Sequence, residues 1–211
     1  MANYCNFCCK VIGQRKNIRY LRKYALAEYA YGDDKITNNK FNEEEIEHHF
    51  FRVFDFSTND DVLTSGDPDE IIEVYFTGYC AWSVYSCMCK GKNTYYNDFK
   101  KVYGKNSRGI TLQDACKKLH LKCEIISEES GCCFWEHYAY DENGNSLVEN
   151  SKNSGDLYIL DQETYDTYED FKKENPKSTI SKEDYDEGWN IYEAINCNCI
   201  DKYGEYIFNI F

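Results

Sequence analysis

The stretch YCNFCCKVI, residues 4–12, carries the clearest structural signal in this chain because apolar and polar side chains alternate along much of it. Cys5, Phe7, Cys9 and Val11 fall on one face of an extended chain, which is the two-residue period of a β-strand. Gly13 is expected to end the strand. The stretch is therefore predicted to be the first strand of a sheet.

Residues 16–30 are predicted to continue from this strand as an amphipathic helix. Ile18, Leu21 and Leu26 recur near helical spacing, and no proline interrupts them. The basic residues around them are expected to form the outer face of the helix: Arg15, Lys16, Arg19, Arg22 and Lys23.

The elements that follow complete a βαββαβ order. Residues 49–56, 70–80 and 121–127 are predicted strands, and Thr111 is predicted to cap a helix with Asp114 at its third position. This order is that of the ferredoxin-like fold, in which two helices cover one face of a four-stranded antiparallel sheet. We therefore expect an α+β protein with a ferredoxin-like core.

The rest of the chain is predicted to extend this core. Residues 132–140 and the turn Asn143-Gly144 indicate a β-hairpin that adds to the sheet. Beyond the hairpin the chain is acidic and rich in tyrosine. Helices are predicted there at 163–174 and 181–195, and a last strand at 206–211.

The chain is strongly acidic, with 37 acidic and 24 basic residues and a net charge of −13. Phosphate affinity comes mainly from Lys and Arg, so this balance disfavours direct binding of DNA or RNA and favours a protein partner with a basic surface. Acidic surfaces are expected over residues 41–73 and 156–187. We expect one domain over residues 1–150 and an acidic α/β extension over residues 151–211 that packs on it.

The sequence carries no signal for export or for membrane insertion. No apolar run approaches the ~20 residues that a spanning helix needs, and the first residues lack the basic start and apolar stretch of a signal peptide. We therefore expect the protein in the cytoplasm of a bacterial host, where thiols stay reduced. Several of the twelve cysteines are predicted to be small buried residues of strands: Cys5, Cys9, Cys80, Cys123 and Cys133.

Four thiol clusters raise the question of metal binding. Only Cys5 and Cys8 have the spacing of a structural zinc knuckle, and in a strand their side chains point to opposite faces. We therefore predict no metal and no cofactor. The remaining clusters are Cys87 with Cys89, Cys132 with Cys133, and Cys197 with Cys199.

Cysteine chemistry with histidine stays open as an alternative. Cys133 and His137 are four apart in a predicted strand, about 13 Å at ~3.3 Å per residue, and so cannot pair directly. Cys80 or Cys87 would have to meet His137 across the sheet. A small Cys/His-dependent enzyme or a zinc-binding protein is thus the alternative, and the primary expectation is that the chain is not an enzyme.

Three large aromatic residues are candidates for partner contact. Trp82, Tyr85 and Trp135 are of the type that dominates interface energetics, although both tryptophans also suit a core position. A second alternative is an RNA-binding module, with bases stacked on aromatic residues of the sheet. Its candidates are Tyr4, Tyr75 and Tyr79.

Acidic residues form two further groups of candidates. Near a glycine turn, several side chains could line a cleft, do acid–base work or contact a partner: Glu128, Glu129, Glu136 and His137. The first acidic segment adds Glu43, Glu44 and Glu45 as partner-binding candidates.

Three stretches of the chain resemble one protein family. They are Met1-Ala2-Asn3-Tyr4-Cys5, Cys80-Ala81-Trp82-Ser83, and a third that joins Ser127-Glu128-Glu129-Ser130-Gly131, Phe134-Trp135-Glu136-His137-Tyr138 and Asn143-Gly144. Together they resemble the Api92-like, or YubB-like, proteins of phages, plasmids and gut bacteria. The resemblance implies a ferredoxin-like fold and an origin on a mobile element, and it carries over no activity. Ser130, where proline is expected, and the long acidic C-terminal part depart from the pattern.

These observations lead to one functional expectation. A phage-type accessory protein with acidic surfaces is expected to bind a host macromolecule. By analogy with small acidic phage proteins, we expect an inhibitor of a bacterial defence nuclease, anti-CRISPR-like in its action, whose surface mimics the charge of a nucleic acid.

Overall fold

A computed structural model describes residues 3–25, 48–58, 61–89, 108–148, 154–160, 165–176, 178–187, 191–194 and 197–211. Within these ranges the chain is a mixed α+β protein built on a large, mostly antiparallel sheet. None of the described helices is long and apolar enough to cross a membrane.

The described elements follow one another with short helices between long strands. The strands are β1 (Tyr4–Gln14), β2 (His48–His49), β3 (Val53–Ser57), β4 (Ile71–Ala81), β5 (Arg108–Gly109), β6 (Lys122–Glu129), β7 (Phe134–Tyr140), β8 (Ser154–Leu160) and β9 (Ile191–Ala194). The α-helices are α1 (Arg15–Ala25), α2 (Leu112–Leu119), α3 (Tyr168–Glu174) and α4 (Lys182–Asp186). A 3₁₀ turn at Asp61–Leu63 and a π-helical turn at Tyr85–Cys89 complete the list.

The seven-stranded sheet has the order β3-β4-β1-β6-β7-β8-β9, and every neighbouring pair is antiparallel. Helices α1 and α2 pack next to each other, and Nδ2 of Asn17 donates to the carbonyl oxygen of Leu119 at 2.8 Å. Their apolar faces, with Leu21 and Leu112 fully buried, belong to the same core as the apolar faces of β1 and β4. The short strands β2 and β5 form a separate parallel pair.

The first strand confirms the alternation seen in the sequence. Cys5, Phe7, Cys9 and Val11 are buried in the core on one face of β1. The strand does not end at Gly13 as predicted, because pairing with β4 continues to Gln14. Thr111 also caps α2 as predicted, since its Oγ1 accepts a hydrogen bond from the N–H of Asp114 at 3.0 Å.

The prediction that the basic residues of α1 lie on its outer face is wrong for Arg15. Its side chain is buried, not exposed. Its Nε donates to the carbonyl oxygen of Asp67 at 3.0 Å, and its Nη2 pairs with the carboxylate of Glu70. These partners hold the turn before β4, so burial of this charge is compensated.

The strand predicted at residues 49–56 is broken in two. Arg52 has a left-handed backbone with φ of 49°, which separates β2 from β3, and β3 is further bulged between Val53 and Asp55. Periodicity could not show this break, because apolar residues stand on both sides of Arg52 and a single charged residue is common within a strand.

The C-terminal half departs most from the predictions. The turn at Gly144 forms as expected, with φ of 76°, but only an isolated bridge between Tyr140 and Ser146 follows it, and the sheet is extended by β8 instead. The helix predicted at 181–195 ends early as α4, and β9 follows. The predicted strand at 206–211 has one isolated bridge, at Tyr206, and otherwise lies across the sheet.

Candidate interaction surface

Three aromatic rings cluster on the face of the sheet that lies opposite α1 and α2. The rings of Tyr4, Phe54 and Tyr79 have centroids 5.4–5.8 Å apart, and Tyr4 meets the other two edge-on. Tyr4 is 54% exposed and Tyr79 is 38% exposed. We call these three residues the aromatic cluster.

The register of the sheet explains why these rings meet. In the pairing of β1 with β4, Tyr4 lies opposite Ala81 and Asn6 lies opposite Tyr79, so the two tyrosines are diagonal neighbours on one face. Gly78 allows β3 to come close, because a Cβ atom at this position would overlap the carbonyl group of Asp55. This close approach brings Phe54 against both tyrosines.

Trp82 and Arg52 lie at the same end of the sheet. The N–H of Trp82 donates to the carbonyl oxygen of Asn3 at 2.9 Å, next to Tyr4, and the backbone of Trp82 is left-handed with φ of 68°. The guanidinium of Arg52 lies over the Trp82 ring at 4.7 Å and over the Phe51 ring at 5.5 Å. Trp82, a predicted partner-binding residue, is 37% exposed and so remains available for contact.

Glu136, in contrast, is a buried structural acid. Its carboxylate accepts hydrogen bonds from the N–H of Val84, the hydroxyl of Ser127 and the hydroxyl of Tyr138, at 2.8, 3.1 and 2.8 Å. Burial is the main influence on the pKa of Glu136 and raises it, although these donors act in the opposite direction. The side chain thus anchors the turn after β4, where Tyr85 stacks on Tyr138 and keeps an exposed ring.

Three more predicted contact residues are buried and are therefore corrected. Glu129 accepts a hydrogen bond from the N–H of Gly131. Trp135 and His137 lie under residues 197–211, which we call the C-terminal segment. Glu128 is partly buried, and burial raises its pKa. Glu43, Glu44 and Glu45 lie outside the described residues.

The C-terminal segment covers the other half of the open face. The N–H groups of Asn209 and Ile210 donate to the carboxylate of Glu124 at 3.1 and 3.2 Å, and Nζ of Lys10 donates to the carbonyl oxygen of Phe211 at 2.8 Å. Phe208 meets the ring of Tyr75 edge-on at 5.4 Å. The described residues of this segment do not cover the aromatic cluster, so the rings of Tyr4 and Tyr79 stay exposed.

Cys80 and Cys87, the two thiols proposed to meet His137 across the sheet, lie on the side of the sheet away from it. Cys80 is buried in the helix-side core, and Sγ of Cys87 donates to the carbonyl oxygen of Ala81, whereas His137 faces the other side of the sheet. Cys133, predicted to be buried in a strand, is exposed and precedes β7 with φ of 56°. All twelve cysteines are free thiols, and among the described residues no group of three or more His, Cys, Asp or Glu could hold a metal ion.

Acidic side chains dominate the short helices α3 and α4. Residues 165–187 carry eight acidic and four basic residues. Exposed acids include Glu169, Asp170, Glu183 and Asp186. This segment forms most of the acidic surface predicted over residues 156–187.

Sequence reasoning missed part of this site. It proposed Tyr4 and Tyr79 only as base-stacking residues, and it overlooked Phe54 and Arg52, because the bulge and the close approach at Gly78 are not visible in a periodic pattern. No family model, curated protein or solved structure matches the chain.

Proposed function

We propose that this protein acts by binding another protein, and that the aromatic cluster is the centre of the contact. The observation that carries this proposal is the exposure of Tyr4 and Tyr79 on an ordered sheet, where both rings are already held by Phe54. Large aromatic side chains fixed in this way lose little conformational entropy on binding and are typical of interface hot spots.

We further propose that the partner has a basic surface. A net charge of −13 and the exposed acids of α3 and α4 support this choice, since they would attract basic groups and repel phosphates. Because parts of the sequence resemble mobile-element proteins, we propose that the partner is a host protein such as a bacterial defence nuclease. This chain would inhibit that nuclease. Twelve free thiols support a reducing compartment such as the bacterial cytoplasm.

We also propose that the first part of the chain has a ferredoxin-like core. Its elements would be β1, α1, β3, β4, α2 and β6. The strand order β3-β4-β1-β6, the antiparallel pairing and the packing of α1 against α2 support this assignment.

RNA binding by the same rings is the second candidate. Exposed tyrosines on the open face of a sheet favour it, because bases stack on such rings. The net charge of −13 argues against it, and Lys10 on the same face is engaged by Glu73 at 3.3 Å and by the carbonyl oxygen of Phe211.

The test compares three forms of tagged protein as baits in a lysate of a bacterial host. They are the wild type, a Tyr4→Ser/Tyr79→Ser variant and a Tyr203→Ser control, whose exposed fraction of 51% resembles that of Tyr4. We expect one retained host protein whose affinity falls at least about 30-fold in the double variant and stays unchanged in the control. Binding should weaken as the salt concentration rises.

The same three forms separate the candidates. Equal retention by the double variant and the wild type would refute the role of the aromatic cluster. Retention of RNA that is lost in the double variant would refute a protein partner and favour the second candidate.

A further inference from the structure

Cys197 and Cys199 form a close pair that none of the functions above uses. Both lie beyond β9, and their Sγ atoms are 3.2 Å apart. The N–H of Cys199 also points to Sγ of Cys197, at 3.4 Å. A thiolate at Cys197 therefore accepts hydrogen bonds from a thiol and from the backbone.

The two thiols differ in their access to solvent. Cys199 is fully buried in the small core that also contains Ile126, Trp135 and Leu157. Cys197 is only partly buried. A molecule from solvent is therefore expected to meet Cys197 before Cys199.

The surroundings favour a thiolate at Cys197 and a thiol at Cys199. The hydrogen bond from Cys199 is the main cause that lowers the pKa of Cys197 to about 6; burial opposes it, and the N–H groups of Cys199 and Ile200 and the charge of His137 add to the lowering. The pKa of Cys199 is raised, first by its hydrogen bond to Cys197 and then by burial. Near pH 7 the pair thus holds one proton.

Two further titratable groups face this pair from the sheet. His137 from β7 and Glu124 from β6 are bonded to each other, with Nε2 of His137 3.0 Å from Oε1 of Glu124. Glu124 adds to the raised pKa of Cys199 through its negative charge. The sheet therefore supports the same division of roles between the two thiols.

We propose that Cys197 and Cys199 form a redox-active dithiol that exchanges with disulfides. The Cys197 thiolate attacks one sulfur of a disulfide R–S–S–R′, which forms a mixed disulfide and releases R′–S⁻. Cys199 gives its proton to that thiolate, and its sulfur then attacks Cys197, releases R–S⁻ and closes the Cys197–Cys199 disulfide. The dithiol is oxidised by two electrons, and the substrate disulfide is reduced to two thiols.

The product disulfide suits exchange better than permanent cross-linking. It joins residues two apart and so closes a small ring. Strained disulfides have more oxidising potentials and are reduced readily, and disulfides of the cytosol are mostly transient and catalytic. This chemistry is independent of the aromatic cluster, so a Tyr4→Ser/Tyr79→Ser variant is expected to retain it.

The first test labels the wild-type protein and needs no substitution. Reduced protein is treated with a limiting amount of iodoacetamide near pH 6, and the labelled peptides are measured by mass spectrometry. Cys197 is expected to react about tenfold faster than the exposed Cys133, because its pKa of about 6 gives it a large thiolate fraction near pH 6, which outweighs the lower nucleophilicity of a thiolate of low pKa. Labelling of Cys197 at or below the rate of Cys133 would overturn the proposal.

The second test follows the exchange in a Cys132→Ser/Cys133→Ser background, which removes the two exposed thiols. Oxidised glutathione and insulin serve as a small and a protein disulfide. The Cys197–Cys199 disulfide is expected with at least one of them, a trapped adduct on Cys197 when Cys199→Ser is added, and neither when Cys197→Ser is added. Failure of both substrates to oxidise the pair would refute the proposal.

Discussion

His137 and Glu124 form a buried pair, with Nε2 of His137 3.0 Å from Oε1 of Glu124. The same carboxylate accepts the N–H groups of Asn209 and Ile210, so one acid joins β6, β7 and the C-terminal segment. Burial acts to raise the pKa of Glu124, but these hydrogen bonds outweigh it and the pKa is lowered. The carboxylate form therefore fastens the C-terminal segment to the sheet.

Replacing this acid should loosen the C-terminal segment. Glu124→Gln offers one acceptor atom in place of two, so we expect a loss of about 2 kcal/mol in the free energy of unfolding and faster hydrogen exchange at Asn209 and Ile210. Urea denaturation and amide exchange measure the two effects. The matched control is Glu142→Gln, which removes an exposed pair with Lys122 at 3.8 Å and should change stability by less than about 0.5 kcal/mol. Equal effects of the two substitutions would contradict this role.

The contribution of Glu124 should also depend on pH. Because its folded pKa is below the ordinary value, its stabilisation is fully present above the unfolded pKa of 4.5 and is lost as the pH falls through the folded pKa. The difference in unfolding free energy between the wild type and Glu124→Gln should thus be constant down to about pH 5 and shrink below it. A difference that stays constant down to about pH 3 would show that the charge is not what fastens the segment.

Among the acidic residues, Glu136 is the one whose substitution we expect to lower the free energy of unfolding most. Glu136→Gln gives the N–H of Val84 and the hydroxyls of Ser127 and Tyr138 one acceptor atom where they now have two, and adds a donor in their midst. We expect a loss of about 2–4 kcal/mol, measured by thermal and urea unfolding. A change below about 1 kcal/mol would mean that these bonds do not hold the turn after β4.

Glu128 lies on the neighbouring strand β6, and we expect its substitution to have the opposite effect on stability. One of its oxygens is buried without a hydrogen-bond partner, and burial raises its pKa. A raised pKa means that the charged form weakens the folded state above the folded pKa, and that this loss disappears below the unfolded pKa of 4.5. Glu128→Gln should therefore be neutral or stabilising near pH 7, with the gain absent near pH 3. A clear destabilisation near pH 7 would refute this account.

Gly78 is expected to be required for the aromatic cluster. Gly78→Ala places a Cβ atom against the backbone of Asp55, which cannot move aside without displacing β3. We expect a loss of about 3 kcal/mol or more in the free energy of unfolding, with altered near-ultraviolet circular dichroism from the tyrosines. Gly131→Ala is the control, since its nearest contact is the flexible carboxylate of Glu129 at 2.9 Å. Equal losses in both variants would contradict the close approach of β3.

Local patterns predicted the parts of the fold that local forces determine. The alternation in β1, the buried face of β4 with Val74 and Phe76, and the cap at Thr111 all follow from neighbours within a few residues. The α+β class follows from these elements. Such signals are readable because each element carries its own apolar face.

Contacts between distant residues explain what the sequence could not predict. Trp135 and His137 read as contact residues, but the chain end covers them, and the bond from Ile210 to Glu124 spans 86 residues. Cys197 and Cys199 are too close in sequence for a zinc knuckle, and nothing local shows that Cys199 is buried while Cys197 is only partly buried. The bulge in β3 likewise depends on the neighbouring strand at Gly78.

Site-specific photo-crosslinking shows directly whether the aromatic cluster contacts a partner protein. A photoreactive phenylalanine analogue replaces Tyr79 in the aromatic cluster or, in a matched protein, Tyr203 in the C-terminal segment. Each protein is irradiated in a host lysate. We expect a discrete cross-linked protein from position 79 that is absent from position 203. Unlabelled wild-type protein should compete it away, and the Tyr4→Ser/Tyr79→Ser variant should not. Cross-linking that is equal at both positions, or that the double variant competes as well as the wild type, would contradict it.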